Sequence, residues 1–271
     1  MSTNDHSFKW FAEHGFFQTV NSHLVELARI KPGHKIVDLA CGTGAATKMI
    51  LEHLKGAKDS LVIGIDASTT SLREAIIQVG NVRDVAVEFV YGRVEALSDM
   101  VKDKVDGVIF CNGIHYISDK ENLLKQIVNS LKPGGIFAFN TSFFQGAHLS
   151  DTEQYYRRWM MKSIRNLKTN YGLMPKTNKV ESRRQLTPQQ YTELLENNGF
   201  SILTQHIRAT EVPLQGWVDI SRFEDFAAGA LPGIPIEHAS QALREGAEET
   251  FKELGIDSVP RNWLSIVAIK S

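Results

Sequence analysis

An apolar run that carries one acid, Ile36-Val37-Asp38-Leu39-Ala40-Cys41, leads directly into Gly42-Thr43-Gly44. A glycine pair between a strand and a helix lets backbone amides approach a ligand closely and presents a helix N-terminus to it. What surrounds the pair narrows the ligand. A dinucleotide fingerprint needs a third glycine, and Ala45-Ala46-Thr47 stands in its place. Asp38 would repel a pyrophosphate but suits an ammonium group, such as the one an amino acid carries. Two further clusters also end apolar runs: Gly64-Ile65-Asp66-Ala67-Ser68, and Asn112-Gly113-Ile114-His115-Tyr116. His115 has the side chain whose ordinary titration lies nearest neutral pH, which makes it a candidate general base. A histidine beside a tyrosine can equally be pocket wall.

The elements that must position these residues are legible as alternation. Strand-length apolar runs fall at 35–40, 61–65, 87–91, 105–111 and 135–140, with helix-length amphipathic stretches at 45–54, 70–79 and 120–131. That rhythm predicts βαβ units and a parallel sheet. Ile36-Val37 and Val108-Ile109-Phe110 are apolar on successive residues, so both faces of those strands should be covered. Lys132-Pro133-Gly134-Gly135 predicts a helix stop and a turn before the fifth strand. A helix over 20–28 precedes the sheet. Thr187-Pro188-Gln189-Gln190 predicts an N-cap, a proline at the first helical position and a capping box, opening a helix to about Gly199. A strand over 200–212 and a terminal strand over 263–269 follow, separated by a helical insertion.

The segment Val37-Asp38-Leu39-Ala40-Cys41-Gly42-Thr43-Gly44 resembles the first motif of class I S-adenosylmethionine-dependent methyltransferases, of the type acting on small molecules. The landmarks that follow keep that family's order. Asp66 stands where the family holds both ribose hydroxyls, with Ala67 beside it. Gly92-Arg93-Val94-Glu95-Ala96-Leu97 stands where it reads adenine, Asp106 to Tyr116 covers the fourth strand and its loop, and Leu131 to Gly135 matches the stretch before the fifth. The resemblance covers roughly 30–142 by motif and the C-terminal part only by rhythm. It implies a seven-stranded, doubly wound, mostly parallel α/β sheet of Rossmann-like type with helical lid insertions. It also implies S-adenosyl-L-methionine as cofactor, held by Asp38, Ala40, Gly42, Gly44, Asp66, Ala67, Arg93, Val94, Glu95 and Asn112, with His115 and Tyr116 as the catalytic pair. Arg93 departs from the pattern. The family commonly has an acid there to accept from the adenine amino group, and a guanidinium cannot accept, so adenine recognition falls to the Val94 backbone and Glu95.

The expected organisation is one domain: an N-terminal helical cap over 1–34, a cofactor-binding core over 35–142, a lid insertion over 143–186, and a remainder over 187–271 with a second insertion at 216–257. Residues 157–184 hold nine basic residues, Arg157, Arg158, Lys162, Arg165, Lys168, Lys176, Lys179, Arg183 and Arg184, against one acid, Glu181. They could dock an anion or an acidic carrier, or form a solvated face. Tyr155, Tyr156, Trp159 and Met160 among them suit an apolar substrate or a helical core. Phe8, Trp10, Phe11, Phe16 and Phe17 would close over the cofactor or pack a chain end.

In 271 residues of net charge −1 the composition is that of a globular protein without a basic footprint, which speaks against nucleic acid. The N-terminus reads as having no secretory leader, and no apolar run nears the ~18 residues of a membrane span. Cys41 and Cys111 have neither a CxxC partner nor metal-ligand spacing, which predicts free thiols, no metal and a cytoplasmic setting. The expected function is methyl transfer to an oxygen, carbon or nitrogen of an apolar, perhaps anionic, small molecule in natural-product biosynthesis. Two alternatives stand beside it: an RNA or protein methyltransferase, and a cofactor-binding cyclase or scaffold. The acidic second insertion could complete a pocket or make a homodimer contact.

Overall fold

The computed structural model describes residues 6–80, 82, 84–176 and 185–271. Residues 1–5 of the polar N-terminus, and Lys179, Glu181, Arg183 and Arg184 of the basic run, lie outside the described residues. Helices α1 (Lys9–Ala12) and α2 (Gly15–Leu27) come first, then β1 (Lys35–Leu39), α3 (Ala45–His53), β2 (Leu61–Asp66), α4 (Thr69–Val79), β3 (Ala86–Tyr91), α5 (Leu97–Met100), β4 (Val105–Cys111), α6 (Lys120–Ser130) and β5 (Leu131–Thr141). Then follow α7 (Glu153–Tyr171), α8 (Pro188–Glu196), β6 (Phe200–Pro213), α9 (Leu214–Ile220), α10 (Glu224–Ala230), α11 (Ile236–Leu254) and β7 (Ser258–Lys270). The chain divides into two compact units, one of residues 1–17, 146–184 and 209–262, the other of 18–145, 185–208 and 263–271.

The second unit carries the sheet. Its strand order is β3-β2-β1-β4-β5-β7-β6, with β1 to β5 pairing in parallel and β7 antiparallel to β5. This is the α/β sheet that the βα rhythm predicts, in the seven-stranded form that the resemblance implies. The chain runs outward from β1 to β3 and then returns to β4 on the other side of β1. Strand order therefore reverses between β1 and β4, the place where open α/β sheets leave a crevice at the strands' C-terminal ends. Leu24, Val25 and Ala28 from α2 and its following turn, with Ile50, Leu51 and Leu54 from α3 and its end, bury one sheet face against Ile36, Val62, Ile109, Ala138 and Val267. On β5, Phe137 and Phe139 pack against Phe200 and Tyr191. Burying both faces removes the polar alternation that a one-sided sheet would show.

Several boundaries differ from the sequence pattern, among them the start of α2, at Gly15 rather than residue 20. Lys132-Pro133-Gly134-Gly135 lies inside β5 rather than ahead of it: Val105 pairs with Leu131 and Gly107 with Ile136, so the extra residues form a bulge with Gly134 at φ 71°. A bulge accommodates a proline that has no N–H for the ladder. Lys132 ties it to Asp106 at 2.7 Å, and the cation, with the Lys35 N–H, holds the Asp106 carboxyl below its ordinary range. Strand β7 also begins earlier, at Ser258 rather than Trp263.

The first unit is built on α7 and α11. Trp159 donates its indole N–H to the Leu243 carbonyl at 2.7 Å, and a Cβ on Gly246 would sit 2.4 Å from Ser163 Oγ, so this close approach requires glycine. Tyr155, Trp159, Trp217 and Phe251 pack as one aromatic group, and Phe8, Phe11, Phe17 and Phe223 as another. Three cations of the basic run, Arg158, Lys162 and Arg165, are answered within the same helix pair. Arg158 pairs with Glu253, Lys162 with Glu253 at 2.5 Å and Glu249 at 3.6 Å, and Arg165 with Glu249 at 2.9 Å.

The capping box forms as its residues predict: Thr187 Oγ1 accepts from the Gln190 N–H, and Gln190 Oε1 from the Thr187 N–H, both at 3.0 Å. Thr187→Ala should cost about 1 kcal/mol of stability in urea unfolding, with Thr187→Ser close to wild type.

Candidate functional site

The turn after β1 is conformationally demanding. Ala40, Gly42 and Gly44 have φ of 55°, 54° and 87° in succession around Cys41 and Thr43. Gly44 opens α3, and a Cβ there would meet Ala75 at 3.1 Å as well as the left-handed backbone. Besides Ala40, the non-glycine residues with positive φ among the described ones are Arg29 and Asn112, at 48° and 53°. Two of the three thus lie in the predicted site. Alanine in this region costs on the order of 1 kcal/mol, so the surrounding contacts must impose it.

Asp66 supplies one such contact. Its Oδ2 accepts the Gly42 N–H and its Oδ1 the Ser68 N–H, each at 2.8 Å, while its carbonyl accepts the Gly92 N–H at 3.0 Å. One residue thereby joins the turns after β1, β2 and β3. A carboxylate has about four lone-pair sites, so both oxygens keep capacity for hydroxyl donors.

Asp38 is different in kind. It is 1% exposed; Oδ2 accepts from Thr47 Oγ1 at 2.6 Å, and Oδ1 has no hydrogen-bond partner among the described residues. Burial, seconded by the Asp66 charge and opposed by the Thr47 hydrogen bond, pushes its carboxyl up to about 7. A buried oxygen left open in this way is suited to a cationic donor.

At the end of β4, the Asn112 N–H reaches Asn140 Oδ1 at 2.7 Å, and Asn140 Nδ2 donates to Asn21 at 3.0 Å. Asn112 Oδ1 accepts the Ser142 N–H at 3.2 Å. His115 and Tyr116 follow in a single 3-10 turn, ring centroids 4.1 Å apart, with Phe143 5.5 Å from His115. His115 is buried, and its Nδ1 lies 3.0 Å from Thr141 Oγ1. Ala67 is exposed at the second turn, and Val94 is buried at the third. Arg93 pairs with Glu95 at 3.3 Å and is itself 78% exposed. The predicted residues thus fall at the C-terminal ends of β1 to β4. Thr47, Asn140 and Thr141 were not among them. Thr47 left a trace, a polar residue on the α3 face that buries Ala46, Ile50 and Leu51. Asn140 and Thr141 left none, because a polar pair at a strand end is common in any sheet.

Among the described residues no group of three His, Cys, Asp or Glu side chains could hold a metal, and no helix is long and apolar enough to cross a membrane. Cys41 and Cys111 are free thiols, which burial pushes above the ordinary range.

A sequence profile described as "Methyltransferase domain" matches residues 30–199, more than half of the chain. The chain belongs to the class I S-adenosylmethionine-dependent methyltransferase family. It is similar to the ubiquinone/menaquinone biosynthesis C-methyltransferase UbiE of Xylella fastidiosa, 35% identical over 124 residues, which are 45% of this chain and 47% of that protein. The chain spans about half the length of the curated relatives it matches. Among solved structures, a presumptive methyltransferase of Bacillus halodurans superposes with TM-score 0.59 at 16% identity, over 93% of this chain and 99% of that one. A phosphoethanolamine N-methyltransferase of Haemonchus contortus, solved with S-adenosyl-L-methionine, superposes with TM-score 0.52 at 18% identity, over 93% of this chain and 52% of that one. At these identities the superpositions speak to the fold.

Asp38 binds its proton more tightly folded than unfolded, so stability falls as pH rises from about 4 to about 7 and the penalty is complete above that. Asp38→Asn should therefore raise the melting stability of the ligand-free protein at pH 8 by more than about 1 kcal/mol and change it little at pH 4. Thermal unfolding at the two pH values checks the sign.

Proposed function

We propose that this protein binds S-adenosyl-L-methionine along the C-terminal ends of β1 to β4 and transfers its methyl group to an oxygen, carbon or nitrogen atom of an apolar small molecule, in natural-product biosynthesis. The observation that carries the reading is the pairing of two unlike carboxylates. Asp38 keeps a buried, partnerless oxygen that suits the cofactor's ammonium. Asp66, already fixed by backbone N–H groups, keeps acceptor capacity for the two ribose hydroxyls. Ala40, Gly42, Gly44 and Ala67 bring backbone close to the same ligand, Val94 and Glu95 are assigned to adenine, and Asn112 to the cofactor from the end of β4. Arg93 contributes by orienting Glu95 through their ion pair.

The cofactor supplies a sulfonium methyl group, whose displacement leaves a neutral thioether. The chain's own work is then orientation and exclusion of water. His115 and Tyr116, one turn beyond β4, are the residues assigned to the methyl acceptor. The chain is read as a single-domain enzyme of the cytoplasm with helical insertions. Support for a small acceptor comes from two sides. The curated relatives are named for C-methylation in ubiquinone and menaquinone biosynthesis. Three cations of the basic run, Arg158, Lys162 and Arg165, are paired with Glu249 and Glu253, which leaves fewer of them to dock RNA or protein.

Calorimetric titration with S-adenosyl-L-methionine tests the core of this reading. Asp66→Ala should weaken binding at least about tenfold, equivalent to 1.4 kcal/mol. Because the ammonium favours ionised Asp38, wild-type affinity should rise as pH increases toward about 7 and fall again where the ligand's ammonium itself loses its proton. Absence of binding at tens of micromolar, with Asp66→Ala indistinguishable from wild type, would sink the proposal.

A further inference from the structure

The aromatic group of the first unit has a polar end. Tyr155 is 2% exposed, and its hydroxyl has no hydrogen-bond partner among the described residues. Beside it, with ring centroids 5.2 Å apart, the Tyr156 oxygen accepts a hydrogen bond from Arg261 Nη1 at 3.1 Å. That bond occupies a lone pair, so the Tyr156 hydrogen also has no acceptor among the described residues. Flat rings surround the two phenols. Trp217 meets Tyr156 edge-on at 5.6 Å and lies 5.4 Å from Tyr155, Trp159 stacks on Tyr155 at 5.6 Å, and His148 stacks on Tyr156 at 3.7 Å. The Arg261 guanidinium is 5.8 Å from the ring centres of both Tyr156 and Trp217.

A hydroxyl sealed from water with nothing to bond carries its full desolvation penalty into the folded state. For packing alone phenylalanine would serve better at position 155, because the ring contacts do not need the oxygen. Burial pushes both phenols above their ordinary range, so both keep their hydrogens at neutral pH. We propose that Tyr155 and Tyr156 form a binding site in the first unit for a flat apolar small molecule that carries a carboxylate or carbonyl oxygen. The aromatic rings take the body of the molecule and the two O–H groups donate to its oxygen. Arg261 holds the Tyr156 oxygen in place and sets a positive charge beside it, which favours electron-rich oxygen and disfavours a cation. The site stands on residues of the first unit and does not depend on the cofactor reading.

Proton NMR on the full chain locates binding, because the indole N–H of Trp217, which donates to the Val212 carbonyl at 3.2 Å, gives a signal assigned by its loss in Trp217→Phe. Two probes put the oxygen on one ring system, 2-naphthoate and 2-acetylnaphthalene, and 2-naphthylmethylammonium puts a cation there instead. The expected result is a saturable shift of the Trp217 signal with naphthoate or acetylnaphthalene and none with the ammonium. Tighter binding of naphthoate marks a carboxylate ligand, and tighter binding of acetylnaphthalene a neutral carbonyl. No saturable shift with either, or an equal one with the ammonium, overturns the site. Tyr155→Phe should raise the melting temperature of the ligand-free protein and weaken the better probe about fivefold in calorimetry, the worth of one net hydrogen bond. A lowered melting temperature, or an unchanged affinity, overturns the part given to the hydroxyl. If Trp217→Phe does not fold, the two measurements on Tyr155→Phe still decide. Failure of the methyltransferase reading shows separately, as absent S-adenosyl-L-methionine binding in calorimetry while the probes still bind.

Discussion

The C-terminal edge of the sheet is tied together by one residue, Asp66. Asp66 receives the amides of Gly42 and Ser68 on its two oxygens and that of Gly92 on its carbonyl, so the first three βα turns share a single anchor. Each turn follows a different strand, and their spacing is set by the parallel ladder that places Asp38 beside Gly64 and Asp66 beside Tyr91. A change in register at β1, β2 or β3 would break at least one of these bonds. The positive φ values of Ala40 and Gly42 are intelligible in this light, since the backbone must fold back to bring the Gly42 amide onto Asp66. Strain in the first turn is offset by charge-assisted bonds in the second.

Asp38 shows the opposite balance. Nothing among the described residues completes its hydrogen bonding, and burial raises its proton affinity by about three orders of magnitude relative to an exposed aspartate, each unit being 1.36 kcal/mol. Such a group lowers the stability of the ligand-free protein, and an apolar residue there would fold more readily. A site that binds a cation gains from the same arrangement, because the desolvation that penalises the bare carboxylate has already been met when the cation arrives. Thr47 restrains the carboxyl from one side and leaves the other open.

The inserted helices are organised by a different rule. Helices α7 and α11 are distant in sequence, one basic and one acidic, and each looks like an unbalanced charged segment when read alone. Together they form an antagonist pair of charges around an aromatic core, with Gly246 allowing close approach. The ion pairs are largely exposed and contribute little individually. What they do is match one helix to the other.

The sequence by itself determined the alternation of strands and helices, the capping box at Thr187 and the placing of Asp38, Asp66 and Asn112 at or just beyond strand ends, because these follow from local patterns: periodicity, turn chemistry and acids at strand ends. The bulge at Pro133 escaped it, since a Lys-Pro-Gly-Gly stretch stops a helix whether or not the strand has already begun. Part of the basic run escaped it for a related reason. Its counter-charges at Glu249 and Glu253 come from an element far along the chain, and charge balance over such a distance is a property of packing. Thr47, Asn140 and Thr141 acquire meaning only when the fold seals them from water, because a buried hydroxyl or amide must spend every hydrogen on a specific partner. Tertiary structure alone decided which partner, and with it the open oxygen of Asp38.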